Sequence, residues 1–190
     1  MIRKTLLALA FIASSVMISA AAHAESRTLN FVRLYDGATA SITYWQDGRY
    51  SPQGLAEFSY FLRDVKASGT PEKAVDPKLA DFLFAIQTAA SGMTGKPARI
   101  ELIAGYRELN RNLTIGSKKT SQHVKGRAAD FHISGVDMRK LCWAAWHIAN
   151  QQGYGGVGFY PNGVHGFKPQ MIHADVARLR TWPVGGCAAH

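Results

Sequence analysis

The chain has 190 residues, a hydrophobic content of 47% and a formal net charge of +9 at pH 7. This length and composition suit a globular domain with a real core, and no repeat or low-complexity tract suggests a fibrous or disordered protein. Basic proteins often bind nucleic acid, but the sequence has no RNA-recognition, helix-turn-helix or zinc-finger pattern, so we expect an anionic partner of another kind.

The N-terminal segment, residues 1–24, has the parts of a secretory signal peptide. Arg3 and Lys4 form a charged start, a mostly apolar run follows, and the segment ends in an Ala-x-Ala cleavage pattern. The apolar run is short for a bilayer span. We therefore predict a cleaved signal peptide (1–24), a single exported domain (25–190) with no stable membrane span, and a location in the periplasm or cell envelope.

The first half of the exported sequence has the pattern of a scaffold. Short strands are predicted within residues 25–50. Apolar residues at helical spacing predict helices over about 52–66 and 77–92, each begun by a capping residue followed by proline. A buried strand is predicted over 99–106. It leads into residues 108–120, which we expect to be a flexible loop.

The second half alternates strands with one helix. Strands are predicted over 129–133, 155–161 and 171–176, with a helix over 136–152 between the first two. The predicted fold class is α+β, a small and mainly antiparallel sheet with flanking helices.

Two cysteines, Cys142 and Cys187, lie in this half. In an oxidising compartment they could form one disulfide that pins the tail, but Cys142 also fits a buried helix position, and the sequence leaves the choice open. Neither cysteine lies beside a motif that supplies a base, so neither is expected to be a nucleophile.

The stretch SQHVKGRAADFH, residues 121–132, concentrates residues that bind metals. His123 and Asp130 are seven positions apart, so they can converge only if the chain turns between them, and Gly126 marks the expected turn. A third candidate, His173, lies in the short apolar run MIHADV. Two histidines and one carboxylate leave a fourth zinc position open, which is typical of catalytic rather than structural zinc.

The residues from Ser121 to Asp130 match the signature SxHxxGxAxD at every fixed position. In this they resemble the zinc D-Ala-D-Ala peptidases, which share the Hedgehog/DD-peptidase fold. Other stretches occur in the same order as in the murein endopeptidase K-like subgroup and cover nearly all of the chain after its leader. They are TYWQDGRY (43–50), FLRD (61–64), DPKLADFL (76–83), AGYRELNRN (104–112), GGVGFYP (155–161) and HADVARLRTW (173–182).

The resemblance implies an exported zinc metallopeptidase, a murein endopeptidase or carboxypeptidase, that hydrolyses peptide bonds in peptidoglycan cross-links or stem peptides. His123, Asp130 and His173 would bind Zn²⁺, which activates water. Asp175 lies two positions after His173 on a strand, so both side chains share one face. It is the predicted general base, or a carboxylate that orients the zinc ligand.

Three further residues are predicted to bind the substrate. Arg107 belongs to the Gly-Tyr-Arg motif, and the resemblance implies that its guanidinium binds the substrate or its developing oxyanion, so it also has a catalytic role. Ser121 and Asn112 complete this set. Ser121 is expected to form a hydrogen bond within the site, and Asn112 matches an asparagine of the family.

Two features depart from the family pattern. Gln170 stands where many relatives have the base, and it cannot take a proton. A longer link before the last strand adds His165 as a rival ligand or base. The alternative function is a non-catalytic, zinc-containing, peptidoglycan-binding module of the same fold. The sequence does not distinguish an endopeptidase from a carboxypeptidase, or one type of cross-link from another.

Overall fold

The computed structural model describes residues 26–163, 169–183 and Cys187. The elements in chain order are β1 (Arg27–Arg33), β2 (Thr39–Gln46), β3 (Arg49–Tyr50), α1 (Pro52–Phe61), α2 (Pro77–Thr94), β4 (Ile100–Ala104), α3 (Leu109–Thr114), β5 (Ala128–His132), α4 (Met138–Gln152), β6 (Gly156–Tyr160), β7 (Met171–Asp175) and β8 (Arg180–Trp182).

These strands form one sheet in the order β3-β2-β1-β4-β5-β7-β6-β8. The α+β class is confirmed, but the prediction of a small and mainly antiparallel sheet is wrong, because the sheet has eight strands and is mixed. Strands β1 and β4 are parallel, as are β6 and β8. Both parallel pairs join strands that are distant along the chain, and such pairing depends on crossover connections that a local pattern does not reveal.

The helices also differ from the prediction in one place. The segment 108–120, expected to be a flexible loop, contains the short helix α3. The Glu108 side chain caps this helix by accepting a hydrogen bond from the backbone N–H of Arg111 at 3.1 Å. The Arg111 guanidinium in turn binds the buried carboxylate of Asp64 at 2.7 Å. A turn that is capped and anchored in this way is ordered even though its sequence is polar.

The sheet separates a hydrophobic core from a polar face. Helix α2 packs on β1 and β7, and α4 packs on α2, β6 and β7. Side chains alternate along a strand, so every second residue of β5, β6 and β7 enters the core. These core residues are Ala129, Phe131, Val157, Phe159, Ile172 and Ala174. The residues between them, including Asp130 and His173, face the other side of the sheet.

A disulfide joins Cys142 of α4 to Cys187, and their Cα atoms lie 5.1 Å apart. The bond decides the alternative that the sequence left open. The two cysteines are 45 residues apart in sequence, and the segment between them contains β6, β7 and β8.

Two predictions concern residues outside the described ranges, namely the signal peptide (1–24) and the rival site residue His165. Within residues 26–163 and 169–183, every helix is too short or too polar to cross a bilayer.

Candidate metal centre

A turn of the chain, rather than a helix or strand, holds His123. At this turn Gly126 adopts φ +67° and donates its backbone N–H to the His123 carbonyl at 3.1 Å. A Cβ at Gly126 would lie 2.9 Å from the Ala74 carbonyl oxygen, so both the backbone angle and the packing favour glycine. His123 Nδ1 lies 2.7 Å from the Gly105 carbonyl oxygen. A carbonyl only accepts, so Nδ1 donates this bond, and Nε2 is the ring nitrogen that can offer a lone pair to a metal ion when the ring is neutral.

Asp130 and His173 face the same point from neighbouring strands. They pair directly across the antiparallel strands β5 and β7. Asp130 Oδ1 lies 2.8 Å from His173 Nδ1, and Asp130 Oδ2 lies 3.2 Å from His123 Nε2. The two ring nitrogens, His123 Nε2 and His173 Nδ1, are 3.2 Å apart. All three side chains are buried, and one ligand atom from each lies within 4.8 Å of the others.

The geometry of these three residues fits a divalent metal ion. Ligands at 2.0–2.1 Å in a tetrahedral zinc site are separated from one another by about 3.3 Å. The contacts among His123, Asp130 and His173 run from 2.8 to 3.2 Å, so a small adjustment brings the three ligand atoms to that spacing. Two neutral imidazoles and one carboxylate are also a common donor set for divalent transition metals.

Charge is concentrated at this point of the molecule. Burial alone would raise the pKa of Asp130, but the charges and hydrogen bonds of His123 and His173 hold that pKa well below its usual range. Burial alone would lower the pKa of His173, but hydrogen bonds to Asp130 and Asp175 outweigh it and raise the pKa to about 9. In the metal-free protein the imidazolium of His173 is therefore stabilised between two carboxylates, and a metal ion must displace its proton.

Asp175 lies behind His173. Its Oδ2 atom is 2.9 Å from His173 Nε2, the ring nitrogen that Asp130 does not contact. Arg180 donates to both carboxylate oxygens, and the Ala177 backbone N–H donates to Oδ1. Burial opposes ionisation, but these partners, His173 first, lower the pKa of Asp175 to about 2. Asp175 is fully buried and does not line the cavity. These contacts are those of a carboxylate that orients a histidine ligand.

Arg107 reaches the centre from the loop after β4. Its Nη2 atom lies 3.4 Å from Asp130 Oδ2, and its Nη1 atom donates to Asn112 Oδ1 at 3.2 Å. Its buried Nε–H has no hydrogen-bond partner among the described residues. Asn112 is fully buried, donates to the Lys118 carbonyl and does not line the cavity. The structure therefore brings Arg107 to the centre and places Asn112 behind it.

An open cavity of about 210 Å³ gives access to the centre. Ser121 lies in its wall, and its Oγ accepts the backbone N–H of His123 at 3.3 Å. The residues that line the cavity are Arg107, Ser117, Ser121, His123, Asp130, Tyr160, Met171, His173 and Trp182.

Two aromatic residues of this cavity were not predicted as site residues. Tyr160 was predicted only as part of the strand over 155–161, and Trp182 only as part of the stretch HADVARLRTW that resembles the family. In the sheet, Asp130, His173, Gly158 and Trp182 occupy paired positions across β5, β7, β6 and β8. A Cβ at Gly158 would lie 2.5 Å from the Trp182 ring, so this glycine leaves the space that the indole fills. The glycines in the stretch GGVGFYP (155–161) were the sequence signal that could have indicated this space.

The chain is similar to known peptidoglycan hydrolases. A peptidase M15 family model described as peptidoglycan L,D-endopeptidase MepK matches residues 21–182. The Escherichia coli K12 protein named peptidoglycan L,D-endopeptidase MepK is 31% identical over 161 residues, which cover 82% of this chain and 80% of the relative. A Haemophilus influenzae protein named probable peptidoglycan L,D-endopeptidase MepK is 32% identical over 163 residues, or 83% and 80% of the two chains.

Proposed function

The chain belongs to the peptidase M15 family described as peptidoglycan L,D-endopeptidase MepK, and we propose that it is an exported zinc metallopeptidase that cleaves an L,D peptide bond in peptidoglycan. The observation that carries this proposal is the convergence of His123, Asp130 and His173 in one accessible cavity beside Arg107. We also propose that the eight-stranded domain is of the Hedgehog/DD-peptidase type and that residues 25–190 form it.

His123 Nε2, an oxygen of Asp130 and His173 Nδ1 are the proposed metal ligands, and zinc is the proposed ion. When bound, the ion supplies Lewis-acid activation of water and of the substrate carbonyl. The protein holds both imidazoles from behind, His123 through the Gly105 carbonyl and His173 through Asp175. Each ring is thereby fixed with one nitrogen directed at the centre, which is the usual arrangement for a histidine ligand.

Arg107 is the proposed residue for the substrate oxyanion. Its guanidinium is buried, so its charge acts in a medium of low dielectric constant, and the side chain lines the cavity. Negative charge that develops on the carbonyl oxygen of the cleaved bond would be stabilised here. Ser121 lies in the same cavity wall and is proposed to contact the peptide, whereas Asn112 is proposed to fix the orientation of Arg107.

Asp175 had two predicted roles, and its contacts favour that of orienting His173. A general base must reach the attacking water, but the oxygens of Asp175 are engaged by His173, Arg180 and Ala177 outside the cavity lining. The role of His165 as a rival base or ligand stays a prediction, since this residue lies outside the described ranges.

Peptidoglycan is the proposed partner and the periplasm the proposed location. The relatives are named for their action on peptidoglycan, and the positive charge of the chain suits an anionic polymer of the cell envelope better than a nucleic acid that it shows no motif to bind. The signal peptide predicted for residues 1–24 would deliver the domain there.

The first experiment compares the exported protein with His123→Ala. Zinc content is measured, and products are identified by mass spectrometry from two matched cross-linked peptides, one joined through an L,D bond and one through a D,D bond. We expect about one zinc per wild-type protein and cleavage of the L,D substrate, with both lost in His123→Ala. The exposed His147, replaced by alanine, is the control and should retain both properties.

The outcome also distinguishes the alternative function. A protein that holds zinc and binds peptidoglycan, yet cuts neither substrate, would be a non-catalytic binding module. Cleavage of the D,D substrate alone would contradict the proposed bond specificity but not the peptidase activity.

A further inference from the structure

Strand β8 brings an aromatic side chain into the metal centre from the edge of the sheet. The Trp182 ring lies against the His173 ring, with their centroids 5.0 Å apart. Its indole nitrogen, Nε1, is 2.8 Å from the phenol oxygen of Tyr160. Trp182 thus contacts a proposed metal ligand with its ring and a second cavity residue with its only polar atom.

Tyr160 lies two residues after Gly158 on β6, on the same face of the sheet. It pairs with Met171 across β6 and β7, whereas Gly158, two residues earlier, pairs with His173. Residues two apart on a strand share a face, so the phenol projects beside the centre. Tyr160 lines the cavity together with Arg107 and His173.

The contact with Trp182 determines what the phenol can do. An indole N–H is only a donor, so the Tyr160 oxygen must accept this bond and its own proton remains available for another. No described residue accepts that proton, although the phenol is more than half shielded from solvent. Burial, the main cause, raises the pKa of Tyr160, so the hydroxyl stays protonated at neutral pH.

We propose that Tyr160 is a further substrate-binding residue, whose hydroxyl donates a hydrogen bond to a carbonyl or carboxylate oxygen of the bound peptide. Trp182 is the positioning residue, because its indole holds the phenol oxygen and directs the remaining proton into the cavity. This inference rests on the proposed peptidase function. It assigns a role to two side chains that would otherwise only brace the edge of the sheet.

The first test is Tyr160→Phe, which removes the hydroxyl and retains the ring. We expect kcat/KM for the L,D substrate to fall at least about threefold, the lower range for loss of one neutral hydrogen bond. Zinc content should be unchanged, and Tm should fall by no more than about 2–4 °C, because the bond from the Trp182 indole is lost as well. A fall in kcat would place the bond in the transition state, and a rise in KM would place it in the bound substrate. Tyr154→Phe, in a separate cavity lined by Asp81, is the control. A loss of less than threefold would overturn the proposal.

The second test asks whether Trp182 acts through Tyr160. Trp182→Phe retains an aromatic ring against His173 but removes the indole N–H. We expect it to lower kcat/KM in the wild-type background and to have no further effect in the Tyr160→Phe background, which is the signature of coupled residues. If the double variant instead loses kcat/KM by the product of the two single-variant losses, the positioning role of Trp182 is contradicted. Trp143→Phe, an exposed tryptophan on α4, is the matched control.

A third measurement does not depend on turnover or on the folding of a Tyr160 variant. The wild-type indole N–H resonance of Trp182 can be identified among the four tryptophans by its loss in Trp182→Phe. Product peptide, added in excess over the protein, should shift this resonance and leave that of Trp143 in place. An unchanged Trp182 resonance would overturn the proposal. Absence of cleavage by the wild type would instead contradict the proposed function.

Discussion

At the proposed metal centre, the side chain of Asp175 determines which ring nitrogen His173 presents. Asp175 holds Nε2, so Nδ1 is directed toward Asp130 and His123. Burial alone would raise the pKa of Asp175, but hydrogen bonds from His173 and then Arg180 lower it to about 2, so the carboxylate stays ionised. A ligand oriented by a buried ion pair is preorganised, which lowers the cost of metal binding.

Asp175→Asn distinguishes the two roles predicted for this residue. An orienting residue predicts zinc affinity lower by about 10- to 100-fold and activity restored by excess zinc. A general base predicts normal zinc affinity and little turnover at any zinc concentration. Zinc affinity by competition with a chromophoric chelator, together with turnover at several zinc concentrations, checks this prediction. Asp47→Asn, in an exposed turn, is the control.

The raised pKa of His173 predicts how the metal-free protein responds to pH. The folded pKa of about 9 exceeds the ordinary value of 6.5, so the folded state binds the proton more tightly. The stabilisation is fully present below pH 6.5 and is lost as pH rises through 9, on the order of 3 kcal/mol in total. Urea unfolding in the presence of a chelator should therefore show stability falling over this range. His173→Gln should remove most of this slope, and an equal slope in that variant would contradict the assignment.

At the scale of elements, β6 determines what β8 can contribute to the centre. Gly156 and Gly158 lie between β7 and β8 and carry no side chain. Arg180 crosses the first gap to reach Asp175, and Trp182 crosses the second to reach His173. A Cβ at either glycine would lie 2.5 Å from atoms of the crossing side chain. The glycines therefore let an edge strand supply two side chains to a site two strands away.

Gly158→Ala tests this arrangement. The added methyl group would meet the Trp182 ring, so we expect the indole to move, kcat/KM to fall and stability to drop by about 1–3 kcal/mol. Thermal unfolding and cleavage of the L,D substrate measure both effects. Gly92→Ala, in α2, is the matched control, because a Cβ at this position would have nothing within 4 Å. This variant should be neutral or stabilise the protein by about 0.5–1 kcal/mol. If Gly158→Ala and Gly92→Ala had the same stability and the same kcat/KM, the space that Gly158 leaves for Trp182 would have no role.

At the scale of the whole molecule, one disulfide ties the site-bearing strands to the helical layer. The bond between Cys142 and Cys187 encloses β6, β7 and β8, which carry His173, Asp175 and Trp182. Closing a segment of this length removes conformational freedom from the unfolded chain.

Reduction of this bond should destabilise the protein. In the chain-entropy model a loop closed at a separation of 45 residues contributes about 4 kcal/mol. We expect reductant to lower Tm and activity of the wild type, and the variant with both cysteines replaced by alanine to have the low Tm without reductant. That variant should not respond to reductant. A wild-type Tm that does not change after complete reduction would contradict this prediction.

Local patterns in the sequence were sufficient for most elements and for the three residues that the structure brings together, His123, Asp130 and His173. Apolar residues at helical spacing predicted α1, α2 and α4, with capping residues at the start of the first two, and short apolar runs predicted the strands β4 to β7. The motif from Ser121 to Asp130 indicated metal ligands because its glycine turn, small residues and donor atoms are adjacent along the chain. The charged, polar segment that forms α3 was not predicted, since its order depends on Asp64, which lies far away in the sequence.

Local sequence patterns were enough to indicate the family, the α+β class and the three residues proposed to hold the metal. The folded chain was needed to show how the strands pair, that Asp175 lies behind His173 outside the cavity lining, that Asn112 lies behind Arg107, and that Trp182 and Tyr160 line the cavity. The physical reason is that these positions depend on strand register between distant segments. A residue's own neighbours determine whether it forms a strand, but not which strand lies beside it or which side chain fills a glycine gap.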